Sequence, residues 1–198
     1  MQRLFATRGL PVTIMAVLVG LLVLTGPKAE KLGDRFQVAL PLLAWGCQAV
    51  NGHGAEYALR YAVMFIGLHA TKQGLGDAPI NQRPNGGDAG MPSGHTATAA
   101  FGASALLQEC AMTSTPVRIA VIVAAGFTGA SRMDAGAHTI WQVLFGVFWG
   151  LACDRALRHH APTRQRIRIG FKRLRRQRSQ LIRKIACHIV LPRRLRWS

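Results

Sequence analysis

Apolar positions along this chain gather into long runs instead of alternating with polar ones, which predicts helices and no sheet. The first run, Leu10 to Gly26, is 17 residues without a charge. Five more cover 36–50, 55–70, 95–112, 116–130 and 138–153, with Arg60 interrupting the third and Arg118 near the start of the fifth. A helix packed in a water-exposed bundle carries a polar stripe at helical spacing. The first, fifth and sixth runs barely show one. Small residues at Ala97, Ala99, Ala100, Gly102 and Ala103 suit close helix packing in lipid. The expected fold class is therefore all-α, a six-span integral membrane helix bundle, although several runs fall below the roughly 20 apolar residues of a usual span. The first run could instead be a signal peptide. Thr25-Gly26-Pro27-Lys28-Ala29 is not a clean small-x-small cleavage site, so an uncleaved anchor is expected.

Charge divides the chain in two. It holds 25 Lys and Arg against 8 Asp and Glu, yet 49% of its residues are hydrophobic. Residues 155–198 carry 15 of the basic groups and none of the acidic ones, leaving ten basic and eight acidic groups in residues 1–154. The expected organisation is a membrane-embedded domain over 1–154 and a basic tail over 155–198. In the tail, Ile167, Phe171, Leu174, Leu181 and Ile185 recur at helical steps among Arg168, Lys172, Arg173, Arg175, Arg176, Arg178 and Arg183. That pattern reads as a basic amphipathic helix lying on anionic lipid. Aromatic interleaving is poor and no nucleic-acid motif is present, which argues against nucleic acid as a partner. Cys47, Cys110, Cys153 and Cys187 are scattered singly, without ligand spacing or a disulfide framework.

Topology follows from the same charges. Six spans put both ends on one side, and the basic tail places that side in the cytoplasm by the positive-inside rule. The loops 27–36, 71–94 and 131–137 then face outward, and 51–54 and 113–115 face the cytoplasm. The two later outer loops and the span ends beside them hold three polar clusters: Lys72 with Arg83-Pro84, Pro92-Ser93-Gly94-His95, and Ser131-Arg132 with His138. Read as chemistry, this is an anion site. Arginine meets phosphate oxygens through a bidentate fork and lysine as a point charge. A helix starting near His95 offers unpaired N–H groups beside Ser93 and Gly94. Two histidines supply a nucleophile and a general acid. No acidic cluster with metal-ligand spacing is visible, so a metal-free and cofactor-free mechanism is expected.

The ordered set Lys72, Arg83-Pro84, Pro92-Ser93-Gly94-His95 and Ser131-Arg132-x5-His138 resembles the three-part signature of the type 2 phosphatidic-acid phosphatase superfamily. The resemblance implies that His138 is the nucleophile, forming a phosphohistidine, and that His95 protonates the leaving oxygen. It implies that Lys72, Arg83, Ser93, Gly94 and Arg132 hold the phosphoryl oxygens. The substrate class implied is a lipid phosphate or diphosphate: undecaprenyl diphosphate, phosphatidylglycerol phosphate, phosphatidic acid or lipid A 1-phosphate. In a bacterium the site would face the periplasm from the inner membrane.

The chain departs from the signature twice. Ten residues, not six, separate Lys72 from Arg83, so a looped insertion is needed to bring them together. Gln142 stands where the family places an Asp one helical turn after the nucleophile. A Gln carbonyl can orient the imidazole ring but adds no charge. Asp88 and Asp134 are the outer-loop carboxylates that could supply it. Gln142 also motivates a rival reading, a protein that binds a phosphorylated lipid with weakened catalysis. The tail motivates another, a membrane scaffold. The oligomeric state is left open.

Overall fold

The structure, a computed structural model, describes residues 2–25, 28–110, 114–158 and 161–190. The chain divides into two compact units, 1–155 and 156–198. In the first, α1 (Gln2–Thr25), α2 (Ala29–Val50), α3 (Gly54–Leu75), α4 (Gly94–Ala105), α5 (Thr115–Asp134) and α6 (Ile140–Ala156) follow in order. A 3-10 turn spans Pro79–Asn81 and a π-helical turn spans Leu106–Cys110. No strand occurs among the described residues. Each apolar run maps onto one helix, except that the first and fourth end at Gly26 and Met112, outside the described residues. The sixth helix begins only at Ile140, which leaves His138 in the loop before it.

Among the described residues no helix is long and apolar enough to cross a membrane. α2 and α3 have 22 residues each but carry Glu30, Lys31, Asp34 and Arg35, and Glu56, Arg60 and Lys72. α4 stops after 12 residues and α6 has 17. The all-helical class is what the fold establishes. Large apolar side chains nevertheless stand exposed around it, among them Val23 at 71%, Leu42 at 59%, Ile66 at 67%, Val123 at 62% and Phe148 at 66%.

α4 is the axis of the first unit, buried from Thr96 through Ala105. Its small residues let neighbours approach closely. A Cβ on Gly102 would lie 2.5 Å from the backbone nitrogen of Pro41 in α2, and one on Gly146 in α6 would lie 2.6 Å from the Ser93 carbonyl. Phe101, Leu40, Met64, Leu68 and Ile14 fill the core beside it.

Two links hold the end of the bundle where α2 meets α3. Arg60, 3% exposed, reaches the Asp154 carboxylate at 2.6 Å and its carbonyl at 3.1 Å, tying α3 to α6. Glu56, the partner its spacing suggests, lies further off at 3.9 Å, as does Glu109. A disulfide joins Cys47 to Cys110, corrects the reading of those cysteines as single, and fastens α2 to the π-helical turn.

In the second unit α7 (Pro162–Val190) is a helix of 29 residues. Ile167 and Leu174 of the expected apolar stripe are exposed, as are Lys172, Arg175, Arg176 and Arg178. The side chains of Phe171, Leu181 and Ile185, and of Arg168, Arg173 and Arg183, lie outside the described residues.

Candidate active site

The site is assembled at the end of the first unit where α2, α4 and α6 begin and α3 and α5 finish. α3 ends at Gly76, whose φ of +47° favours glycine. The ten-residue segment between Lys72 and Arg83 then folds back around Asn81. The Asn81 amide donates to the carbonyls of Lys72 at 3.1 Å and Gly76 at 2.7 Å, and its Oδ1 accepts from the Met91 amide at 3.0 Å. This returns Arg83 to Lys72, since both donate to the carbonyl of Ala89, Arg83 at 3.5 Å. Ala89 has φ 57°, a left-handed conformation an L-residue adopts at some cost, and so turns its carbonyl toward both cations.

Ser93 is fully buried at the start of α4. Its hydroxyl lies 3.0 Å from that of Thr96, and its amide donates to the Gln142 carbonyl at 2.9 Å. No side chain caps this helix start, so the first N–H groups after Ser93, those of Gly94 and His95, belong to the set an α-helix leaves without internal partners. His95 follows with its side chain 37% exposed and Nε2 3.2 Å from Oδ1 of Asp34.

α5 supplies Arg132, 5% exposed, and the loop behind it returns to donate from the His138 amide to the Arg132 carbonyl at 3.2 Å. Arg132 is flanked by acid: Nη2 lies 3.2 Å from Asp34 and donates to the Glu30 carbonyl at 2.9 Å, and Nη1 lies 3.7 Å from the Glu30 carboxylate. The Nε atoms of Arg83 and Arg132 are buried without a hydrogen-bond partner. Buried donors of this kind are the groups an anion's oxygens satisfy.

His138 is 4% exposed, with Nδ1 3.1 Å from Oε1 of Gln142. The Gln142 Nε2 donates to the carbonyls of Ile80 at 3.0 Å and Gln82 at 2.7 Å. One amide thus orients the imidazole and holds the insertion loop beside Arg83. An aspartate there would offer no donor and would set a negative charge near two carbonyl oxygens, which gives a physical reason for Gln at this position. Gly90 allows the close approach, since a Cβ there would lie 2.6 Å from the Gln142 nitrogen. Burial pushes the His138 imidazole down to about 4, opposed by the Gln142 bond and reinforced by Arg83, Lys72 and His95. Burial, then Arg83, pushes Lys72 down to about 8. His138 is therefore neutral at pH 7, and Lys72 is mostly charged.

Lys72 and Arg83 meet at the Ala89 carbonyl, His95 and Arg132 meet at the Asp34 carboxylate, and the His138 amide ties that residue to the Arg132 carbonyl. Ser93 and Gln142 join them through the bond from the Ser93 amide to the Gln142 main-chain carbonyl, and a Cβ on Gly94 would lie 3.7 Å from Leu68 of α3. Asp34 carries no motif, and Asp88 and Asp134 are the carboxylates a sequence reading notices first. Its one signal is position, in the first turns of a helix whose start lies on the outer side of the expected topology.

A family model described as PAP2 superfamily matches residues 10–166. No curated protein and no solved structure matches the chain.

Proposed function

The chain belongs to the PAP2 superfamily, and from that premise we propose that it is a membrane phosphatase acting on a lipid phosphate or diphosphate through a phosphohistidine. Family membership supports phosphatase-type hydrolysis. The observation that carries the finer reading is the pair of buried guanidinium nitrogens without a hydrogen-bond partner, Nε of Arg83 and Nε of Arg132, together with a buried His138 whose Nδ1 is held by Gln142.

His138 donates Nδ1–H to Gln142, which leaves the Nε2 lone pair for phosphorus. As the P–N bond forms, the bond to the leaving oxygen breaks and His95 gives that oxygen its proton. Water then attacks the phosphohistidine, His95 takes a proton from it, and phosphate departs with His138 restored. Lys72, Arg83 and Arg132 hold the phosphoryl oxygens together with the N–H groups behind Ser93 and Gly94, and stabilise the charge that spreads over them. These groups make the reaction independent of a metal.

The many large apolar side chains exposed on α1, α2, α3, α5 and α6 support a lipid-facing bundle, because extensive exposed apolar surface marks membrane or partner contact. In the orientation we propose, the site faces outward, the periplasm in a bacterium, and both termini lie in the cytoplasm. There α7 meets anionic lipid, at about 1 kcal/mol per basic residue near the surface. The test is phosphate release by purified protein from a panel of lipid phosphates, with and without chelator. Release that resists chelator and is inhibited by vanadate supports the reading. Binding of a labelled lipid phosphate without release would favour the weakened binding protein.

A further inference from the structure

The first turn of α6 is closed by its own side chains. Thr139 stands just before Ile140, where the helix starts, and its carbonyl accepts from the Val143 amide at 3.1 Å. The Thr139 hydroxyl accepts from the main-chain amide of Gln142 at 3.3 Å, and the Thr139 amide donates back to Oε1 of Gln142 at 3.2 Å. A Thr before the helix and a Gln three residues on, bonded reciprocally, form a capping box, which satisfies two of the N–H groups a helix start leaves without partners. α4, which opens on the same site, has no side-chain cap. The two helix starts therefore divide the work. α4 leaves N–H groups for an anion, and α6 uses its own to hold Gln142 in place.

The box shares an atom with the active site. Oε1 of Gln142 also faces Nδ1 of His138 at 3.1 Å. A carbonyl oxygen has two lone pairs, and the Thr139 amide and the His138 ring take one each. The other end of the same side chain is committed to the carbonyls of Ile80 at 3.0 Å and Gln82 at 2.7 Å. The amide cannot turn over without giving up both of those bonds and the one from Thr139. His138 thus meets an acceptor and never a donor, which puts the ring proton on Nδ1 and leaves Nε2 bare.

We infer that Thr139 is a positioning residue for His138. Its hydroxyl seats the main chain of Gln142, and Gln142 seats the imidazole with Nε2 free for phosphorus. The inference rests on the phosphohistidine reading and adds a residue that acts on the ring only through Gln142. A merely structural cap would stabilise α6 and leave the tautomer of His138 unchanged.

The experiment uses the full chain in lipid nanodiscs. Thr139→Val removes the hydroxyl while keeping the shape of the side chain, and Thr139→Ser keeps the hydroxyl. With a lipid phosphate as substrate, kcat should fall about fivefold in Thr139→Val, the size of effect expected from losing one side-chain cap, with little change in KM. Thr139→Ser should recover most of that loss. In a Gln142→Ala background, Thr139→Val should cost nothing further, because the residue it acts through is gone. Wild-type kcat in Thr139→Val, or additive losses in the double variant, overturns the inference. The tautomer is read apart from turnover by nitrogen-15 NMR of histidine-labelled protein at pH 7, with the His138 signals identified by their loss in His138→Ala. The wild-type protein should carry the ring proton on Nδ1, and Thr139→Val should populate both tautomers. A single Nδ1–H tautomer in both proteins overturns the inference. A tautomer shift in Thr139→Val with no phosphate release by the wild-type protein would keep the seating of His138 and refute the phosphatase reading.

Discussion

Nδ1 of His138 lies 3.1 Å from Oε1 of Gln142, while Nε2 of the same amide donates to the carbonyls of Ile80 and Gln82. The carbonyl half of Gln142 fixes the histidine tautomer, and its nitrogen half fixes the loop that carries Arg83. Substitutions separate the two duties. Gln142→Glu keeps an oxygen for His138 but loses both loop donors. Gln142→Ala loses all three bonds. Turnover should fall about 10-fold or more in Gln142→Glu, and further, toward 10²-fold, in Gln142→Ala. Steady-state kinetics on a lipid phosphate checks the order; equal wild-type rates in both would show that the amide positions nothing.

Asp34 contacts both His95 and Arg132 at 3.2 Å. A carboxylate so close favours the protonated imidazole, the form a general acid needs, and competes with substrate for Arg132. Asp34→Asn should therefore lower kcat while also lowering KM, and its activity should recover partly on the acid side of the pH profile. A rise in KM with unchanged kcat would contradict this assignment.

The pH behaviour of phosphate binding should follow Lys72. Its pKa is held down at about 8, so its charge is full well below that pH and is lost as pH rises through it. Competitive inhibition by inorganic phosphate should weaken between about pH 7 and 9 in the wild-type protein. Lys72→Arg, which keeps its charge throughout, should remove that weakening. His138, held at about 4, should stay neutral and competent down to about pH 5. A phosphate Ki independent of Lys72 over that range would place the lysine outside the anion site.

Orientation can be read by labelling with a membrane-impermeant maleimide, in a background with Cys153 and Cys187 changed to Ser. Asn85→Cys, beside Arg83, should label in intact cells, and His53→Cys, between α2 and α3, only after lysis. The Cys47–Cys110 disulfide sits at the His53 end. That end faces the reducing side in the proposed orientation, with Cys47 2% and Cys110 9% exposed. The reverse labelling pattern would invert the orientation and put the disulfide in the oxidising compartment, where such bonds persist.

What could be read from the sequence was local. Apolar runs identify helices because hydrophobic burial and backbone bonding are settled within a few turns. His95, His138, Arg83 and Arg132 were legible because each sits in a short ordered motif. Arg60 was legible as charged and paired, but its main partner, Asp154, is 94 residues away. The same holds for Cys47 with Cys110, 63 apart, and for Gln142 with Ile80 and Gln82, 62 and 60 apart. Asp34 belongs with these. Its contacts to α4 and α5 exist only once α2 packs between them, and nothing in its neighbouring residues announces them.

The central claim is that His138 attacks phosphorus. It is tested most directly by incubating the purified protein with a lipid phosphate labelled in its phosphoryl group, quenching in alkali, and locating the label by peptide mapping. The expected result is alkali-stable label on His138, absent from His138→Ala, with turnover of that variant reduced by at least about 10³-fold. Label on His95, or wild-type turnover by His138→Ala, would contradict the account.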